Sequence, residues 1–316
     1  YFNQIQVYTI LWNSPPAHME YLIATRPWSF TAGLVPVLVT AAVTETSFRS
    51  FEFARALSIA ISVQAGANLT NTYFDFINGV DNERNGEKTL VQKKCNPTTL
   101  MVLSIALYTV ATASIWPHIV DSNSYALRNI FISGIMLAFF YTANPVGLKY
   151  RAFGDITIFL CFGPLLMQCC SILFTGATSQ ILYIYSIPIG LYTEAILHSN
   201  NARDIESDKR AKIVTLASLL GPKLSEYFFM FLLFSCYASI LVIVFLSNWG
   251  CIATFLTVPI SLQLIRQYRT GDLESIDEMT AKAHAPFGFL MFLGIFFTKS
   301  GILNEFSGIS NMVGNP

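Results

Sequence analysis

Polar residues are sparse in this chain and gather in clusters, with long apolar stretches between them. Crossing a ~30 Å hydrocarbon layer takes about 20 residues of helix, the form in which a single segment satisfies its own backbone hydrogen bonds. Nine stretches read as such spans: 29–46, 54–76, 98–118, 126–144, 154–175, 181–200, 224–247, 250–266 and 283–304. The eighth is short and holds Pro259, and the ninth opens on Ala283-His284-Ala285-Pro286 and carries Lys299 near its far end. The pattern predicts an all-α, polytopic integral membrane protein of about nine transmembrane helices. One such domain is expected over 21–305, between an N-terminal segment 1–20 and a tail 306–316. Because the chain starts at Tyr1 rather than Met, the N-terminal segment is expected to be truncated.

Composition agrees with a membrane solvent. Of 316 residues, 53% are hydrophobic and 12% charged, against about 25% charged in a soluble domain. Net charge is zero, so nothing invites nucleic acid or another polyanion. The six cysteines (Cys95, Cys161, Cys169, Cys170, Cys236, Cys251) mostly sit in apolar runs without metal-ligand spacing and read as buried thiols. Four histidines, none four residues from another, argue against a zinc site.

The links after spans two, four, six and eight are long or charged, and those after the odd spans are short and nearly neutral. Fifteen of the nineteen Lys and Arg, all but Arg49, Arg55, Arg128 and Lys299, fall on the face shared by the N-terminus and the even links. The positive-inside rule places that face in the cytosol.

Two polar clusters end spans on this same face. In the first, Asn68, Asn71 and Asp75 are spaced by three and four and share one side of a helix. Gly79 is expected to end that helix and turn the chain back, bringing Asp81 toward Asp75. In the second, Glu194, His198, Asn200, Asn201, Arg203, Asp204 and Asp208 fall within fifteen residues at the end of span six. Polar caps marking helix exits would be the plain explanation. It does not account for Asn68 and Glu194, which lie inside apolar spans where such groups are costly. Carboxylate and amide oxygens four residues apart suit a hard cation, Mg²⁺ above all. Two such clusters point to a diphosphate held through metal ions, with Lys88, Lys149 and Arg151 as its cationic complement.

Held in this way, an allylic diphosphate becomes a leaving group. The carbocation left behind needs a dry wall of aromatic faces, which 26 Phe and 14 Tyr can supply. An electron-rich aromatic hydroquinone would then be alkylated. Asn68, Glu194 and His198 lie one to two turns deeper than the metal ligands, at ~1.5 Å per residue. They are expected to flank that acceptor, with Glu194 or His198 receiving its proton.

Several stretches carry a resemblance: Arg26-Pro-Trp-Ser-Phe30, Gly66-Ala-Asn-Leu-Thr-Asn-Thr-Tyr-Phe-Asp75, Gly79-Val-Asp81 and Lys88-Thr-Leu-Val91. Tyr141-Thr142, Gly147-Leu-Lys-Tyr150, Gly154-Asp155, Thr193-Glu-Ala-Ile-Leu-His-Ser-Asn-Asn201, Arg203-Asp204 and Glu206-Ser-Asp208 continue it. The chain resembles the UbiA superfamily of intramembrane prenyltransferases, and within it the animal enzymes that make menaquinone-4. The resemblance implies helices around a central cavity, with both Asp motifs under a cytosolic cap. It implies two Mg²⁺ ions, one on Asn71 and Asp75 and one on Asp204 and Asp208, with Asp81 completing the first motif. Lys88, Lys149, Arg203, Tyr141 and Asn201 would meet the diphosphate. Lys88 stands where the animal relatives more often carry Arg, which keeps the charge but loses a planar fork. The implied substrates are geranylgeranyl diphosphate and a naphthoquinol such as menadiol. The implied setting is the endoplasmic reticulum or Golgi, with mitochondria as the alternative, and a sterol-pathway partner such as HMG-CoA reductase.

Other readings remain at this stage. The acceptor could be dihydroxynaphthoate or 4-hydroxybenzoate, and an isoprenoid-sensing or transport protein could keep the fold without turnover. Transporters place broken helices at midplane in two matching halves, which this chain lacks. A soluble prenyl diphosphate synthase has no spans, and the motif of CDP-alcohol phosphotransferases is absent.

Overall fold

The computed structural model describes residues 17–81, 88–121 and 124–299. Among them there is no strand, only an isolated bridge between Arg151 and Val214. The first helix, α1 (Ala17–Ala24), meets α2 (Thr31–Val43) through a 3₁₀ turn at Pro27–Ser29, and the pair bends by 50°. Helix α3 (Phe51–Ile77) starts at Ser50, whose hydroxyl accepts the amide of Phe53 at 3.1 Å. It ends where Gly79 takes φ +71. The amides of Val80 and Asp81 then both donate to the Asp75 carbonyl, at 2.8 and 3.3 Å. This is the fold-back expected of Gly79.

Next come α4 (Lys88–Val91), α5 (Pro97–Asp121) and α6 (Tyr125–Phe140). Helix α7 (Gly154–Leu160) passes through a wide π turn, Cys161–Leu165, into α8 (Leu166–Thr175). Pro164 within that turn has no amide to continue the regular ladder. The rest is α9 (Gln180–Arg203), α10 (Ile205–Arg210), α11 (Leu216–Leu246), a 3₁₀ stretch Trp249–Thr257 running into α12 (Val258–Thr270), and α13 (Ile276–Lys299).

Six of these segments are long and apolar enough to cross a membrane unaided, and a seventh follows if the bent α1–α2 pair is one span. That falls short of the nine read from the sequence. Helix α6 has only 16 residues, and α3 carries Gln64, Asn68, Asn71 and Asp75 along one side. The outward faces suit lipid, with Phe245 at 83% and Phe51 at 81% exposure.

Two apolar cores flank a central space. One joins α9, α11, α12 and α13 through Tyr192, Phe229, Tyr268 and Phe287. The other joins α2, α3, α5, α6 and α8 through Val37, Phe53, Ile115, Phe131 and Ile172. In lipid, close packing rather than expulsion of water holds such helices together. Gly163 and Gly190 let α7–α8 approach α9: a Cβ on Gly163 would stand 3.1 Å from the Ser186 carbonyl, and one on Gly190 2.8 Å from the Phe159 ring.

Candidate active site

The polar stripe of α3 faces inward. Gln64, Asn68 and Asn71 line a half-enclosed cavity of about 220 Å³ whose other walls come from α6, α7–α8 and α9. Helix α9 contributes Thr193, Ile196, Leu197 and Asn200, a single stripe at helical spacing. Most of the lining is apolar, and Trp28, Phe131, Tyr141 and Phe162 add rings. Asn68 spends its amide hydrogens on the Thr25 carbonyl (2.7 Å) and the Ser29 hydroxyl (3.2 Å), fixing the α1–α2 bend against α3.

At one end of this cavity lies a small polar pocket of about 30 Å³. Asp75 and Asp81 from the end of α3 meet Asp204 and Asp208 from the α9–α10 turn there. Asn201 and Arg203 line it too. Arg26, Lys149 and Asn200 line both spaces, so the polar pocket opens directly into the apolar one. The two Asp clusters, more than a hundred residues apart in sequence, form one site.

Asp75, Asp204 and Asp208 are each positioned by a neighbour. The buried Lys149 ammonium donates to Asp75 Oδ2 at 2.8 Å and reaches Asn71 Oδ1 at 3.5 Å. The Tyr150 hydroxyl donates to Asp75 Oδ1 at 2.8 Å. Burial works against the Lys149 charge, but Asp75 and Asp208 outweigh it and hold its pKa above the ordinary value. Burial, and then Asp75, push the Tyr150 phenol up, so it stays a neutral donor. Arg203 grips Asp204 with two parallel bonds of 2.9 Å and reaches Asp277 Oδ1 and Asn200 Oδ1 at 2.8 Å each. Asp208 accepts from the Thr215 hydroxyl at 3.2 Å, and that same hydroxyl caps α11. Burial raises the Asp208 carboxyl to about 6, with Lys149 opposing and Asp204 and Asp75 adding to the rise.

The donor set fits Mg²⁺. Four carboxylates converge on the polar pocket, and the buried Asn201 Oδ1 there has no hydrogen bond. Hard oxygen ligands of this kind are what that ion takes. Carboxylate oxygens already bonded to Lys149, Tyr150 or Arg203 keep a further lone pair each.

Several expectations change. Glu194 and His198 do not line the cavity. At 3.6 residues per turn they sit about 110° and 150° round α9 from the middle of its lining stripe, packed with Asp155 of α7 and against Ser225 of α11. The expectation that they flank the acceptor ring is thereby corrected in direction: their side chains turn to α7 and α11 rather than into the cavity. Lys88 opens α4, but its side chain lies outside the described residues. Arg151 points outward and bonds the Pro145 carbonyl at 3.0 Å. Tyr141 lines the cavity beside Lys149.

Arg26, Tyr150 and Asp277 belong to the site although the sequence did not single them out for it. Arg26 and Tyr150 lay in stretches quoted for the resemblance, which was a usable signal. Asp277 gave none, since only packing brings the start of α13 to Arg203.

Residues 33–296 match the UbiA prenyltransferase family. UbiA prenyltransferase domain-containing protein 1 of Danio rerio is 35% identical over 288 residues, covering 90% of this chain and 85% of that protein. The Homo sapiens protein of that name is 34% identical over 289 residues, with 90% and 85% covered. The Drosophila melanogaster homolog is 33% identical over 278 residues, with 85% and 77% covered. Among solved structures, a UbiA homolog from Aeropyrum pernix K1 superposes with a TM-score of 0.67 at 15% identity, over 83% of this chain and 97% of that one. A UbiA homolog from Archaeoglobus fulgidus bound to GPP and Mg²⁺ gives 0.59 at 15% identity, over 86% and 99%. A membrane helical fold, a polar pocket of paired acids above an apolar cavity, and relatives a third identical along nine-tenths of the chain agree: this protein is a membrane-embedded prenyltransferase of the UbiA family.

Proposed function

We propose that the protein transfers a polyprenyl group, geranylgeranyl in the first instance, from its diphosphate to a naphthoquinol such as menadiol, giving menaquinone-4. The carrying observation is the junction of the two spaces. An acid-lined pocket for a metal-bound diphosphate opens through Arg26, Lys149 and Asn200 into an apolar cavity for the chain. The naphthoquinol rests on the resemblance to the animal enzymes.

In this reading Asp75, Asp81, Asp204 and Asp208, with Asn71 beside Asp75, would hold two Mg²⁺, which supply the charge neutralisation a departing diphosphate needs. Lys149 and Arg203 are held ready on carboxylates. A diphosphate in the pocket offers them stronger acceptors, so each trades part of its carboxylate bonding for phosphate oxygens. Arg26 and Asn201, which line the pocket, complete that grip, and Lys88 is assigned to it on the resemblance alone. Tyr141, at the junction, orients the first carbons of the donor. Phe131, Phe162 and Trp28 line the cavity and give ring faces to positive charge, while the apolar wall keeps water from quenching it. Asn68 and Tyr141, which line the cavity, would meet the acceptor. Its proton leaves by a route other than Glu194 or His198, which face away.

The positive-inside count supports a cytosolic mouth. Endoplasmic reticulum or Golgi residence and an HMG-CoA reductase partner rest on the resemblance alone. The test is incubation of purified protein with menadiol, dihydroxynaphthoate or 4-hydroxybenzoate, each with prenyl diphosphates of several lengths, with and without Mg²⁺. Mg²⁺-dependent menaquinone-4 supports the reading. Turnover of another acceptor alone replaces it, and no turnover of any pair sinks it.

A further inference from the structure

The acids that turned away from the cavity form a cluster of their own. Asp155 at the start of α7 and Glu194 and His198 on α9 bring ligand atoms within 4.8 Å of one another. All three are buried, at 8%, 3% and 0% exposure. Both oxygens of Asp155, both of Glu194 and Nδ1 of His198 have no hydrogen bond. His198 Nδ1 stands 3.5 Å from Asp155 Oδ1. Two carboxylates facing each other out of water need a shared proton or a cation between them.

The histidine shows which kind. Its Nε2 lies 3.1 Å from the Ser225 carbonyl and 2.7 Å from the Ser225 hydroxyl. Tyr268 donates to that same hydroxyl at 3.1 Å. A carbonyl can only accept, so a ring proton on Nε2 satisfies the Ser225 carbonyl and leaves the Nδ1 lone pair toward the carboxylates. A histidine whose far nitrogen is anchored on a backbone carbonyl is oriented as metal-ligating histidines are. With the ring neutral and both carboxyls ionised on metal binding, the cluster would carry two negative charges, which one divalent ion balances. Two ligands about 2.0–2.2 Å from one ion stand at most ~4.4 Å apart, so small side-chain movements close the set.

We propose that Asp155, Glu194 and His198 form a second metal site, separate from the acid-lined pocket, that takes a divalent first-row transition ion. One imidazole with two carboxylates selects Zn²⁺ or Mn²⁺ over Mg²⁺, which favours all-oxygen sets. Asp155 keeps a tenth of its side chain exposed and offers the way in. The site's position gives it a role. It ties α7 to α9 and, through Ser225, to α11, directly after the turn Leu148–Tyr150 that aims Lys149 and Tyr150 at Asp75. The absence of paired histidines in the sequence hid it, because its ligands come from two helices.

The test uses the full chain in detergent with Asp75→Asn and Asp208→Asn, which removes two carboxylates from the acid-lined pocket. After Co²⁺ loading and desalting, this protein should retain one ion, measured by elemental analysis, with the weak visible d–d bands of nitrogen and oxygen ligands. Adding Glu194→Gln or His198→Gln should weaken Co²⁺ binding tenfold or more. If the folded background protein retains no ion, or if its bands ignore both substitutions, the proposal is overturned and a shared proton or water joins the carboxylates. Thiolate charge-transfer bands would overturn it equally, by moving the ion to a cysteine.

Discussion

Replacing Lys149 by Met isolates the ion pair at the centre of the site. Its ammonium stands 2.8 Å from Asp75 Oδ2, and the two side chains are 8% and 4% exposed. At an effective dielectric of about 20, unit charges at that separation attract by about 6 kcal/mol. Burial offsets much of this in the intact pair, but a carboxylate stripped of its partner keeps the burial cost. Removing one member of a buried pair typically costs about 3–5 kcal/mol. Lys149→Met should therefore destabilise the protein by that order, softened by the Tyr150 hydroxyl that still reaches Asp75. Asp75→Asn with Lys149→Met removes both charges and should recover most of the loss. Denaturation in mixed detergent micelles reads all three variants, and their double-mutant cycle should give a coupling of about 2 kcal/mol or more. Turnover should stay low in the double variant although its stability returns, because both groups serve the diphosphate. A single Lys149→Met variant as stable as the parent would refute the reasoning, since Asp75 would then have its charge balanced elsewhere.

Asp204→Ala should lower prenyl transfer by at least about 10²–10³-fold, the usual effect of removing a major electrostatic element, and near-normal turnover at limiting Mg²⁺ would exclude it as a ligand. Since the Asp208 carboxyl is raised to about 6, protons should compete with Mg²⁺ as the pH falls through that value; apparent Mg²⁺ affinity should drop on the acid side and flatten in Asp208→Asn, and an unchanged profile would count against it. Cys169 lines the apolar cavity, so Cys169→Phe should spare geranyl diphosphate and slow geranylgeranyl diphosphate, whereas equal loss for every donor length would mean the fold was damaged. In a background without native cysteines, Lys209→Cys should label from the cytosol and Thr178→Cys from the lumen; labelling of both from one side would break the topology.

Local pattern alone determined a good deal of this protein. Apolar runs located the helices, and spacings of three and four put Asn68, Asn71 and Asp75 on one side of α3. A glycine able to take positive φ at position 79 returned Asp81 to Asp75. The even number of intervening spans placed both Asp clusters at one end, where they share the polar pocket. Each of these depends on residues near in sequence or on counting crossings. What only the tertiary structure decided is direction around each helix. Rise per residue fixed how deep Glu194 and His198 lie, but their azimuth depends on which neighbours α9 packs against. Those neighbours, α7 and α11, draw them to Asp155 and Ser225 and leave Thr193, Leu197 and Asn200 facing the cavity. The same holds for Arg203, whose contact with Asp277 spans 74 residues and exists only because α13 packs beside the α9–α10 turn. Helix α3 carries amides and an acid that lipid would reject, and it can do so because that side lines an interior cavity.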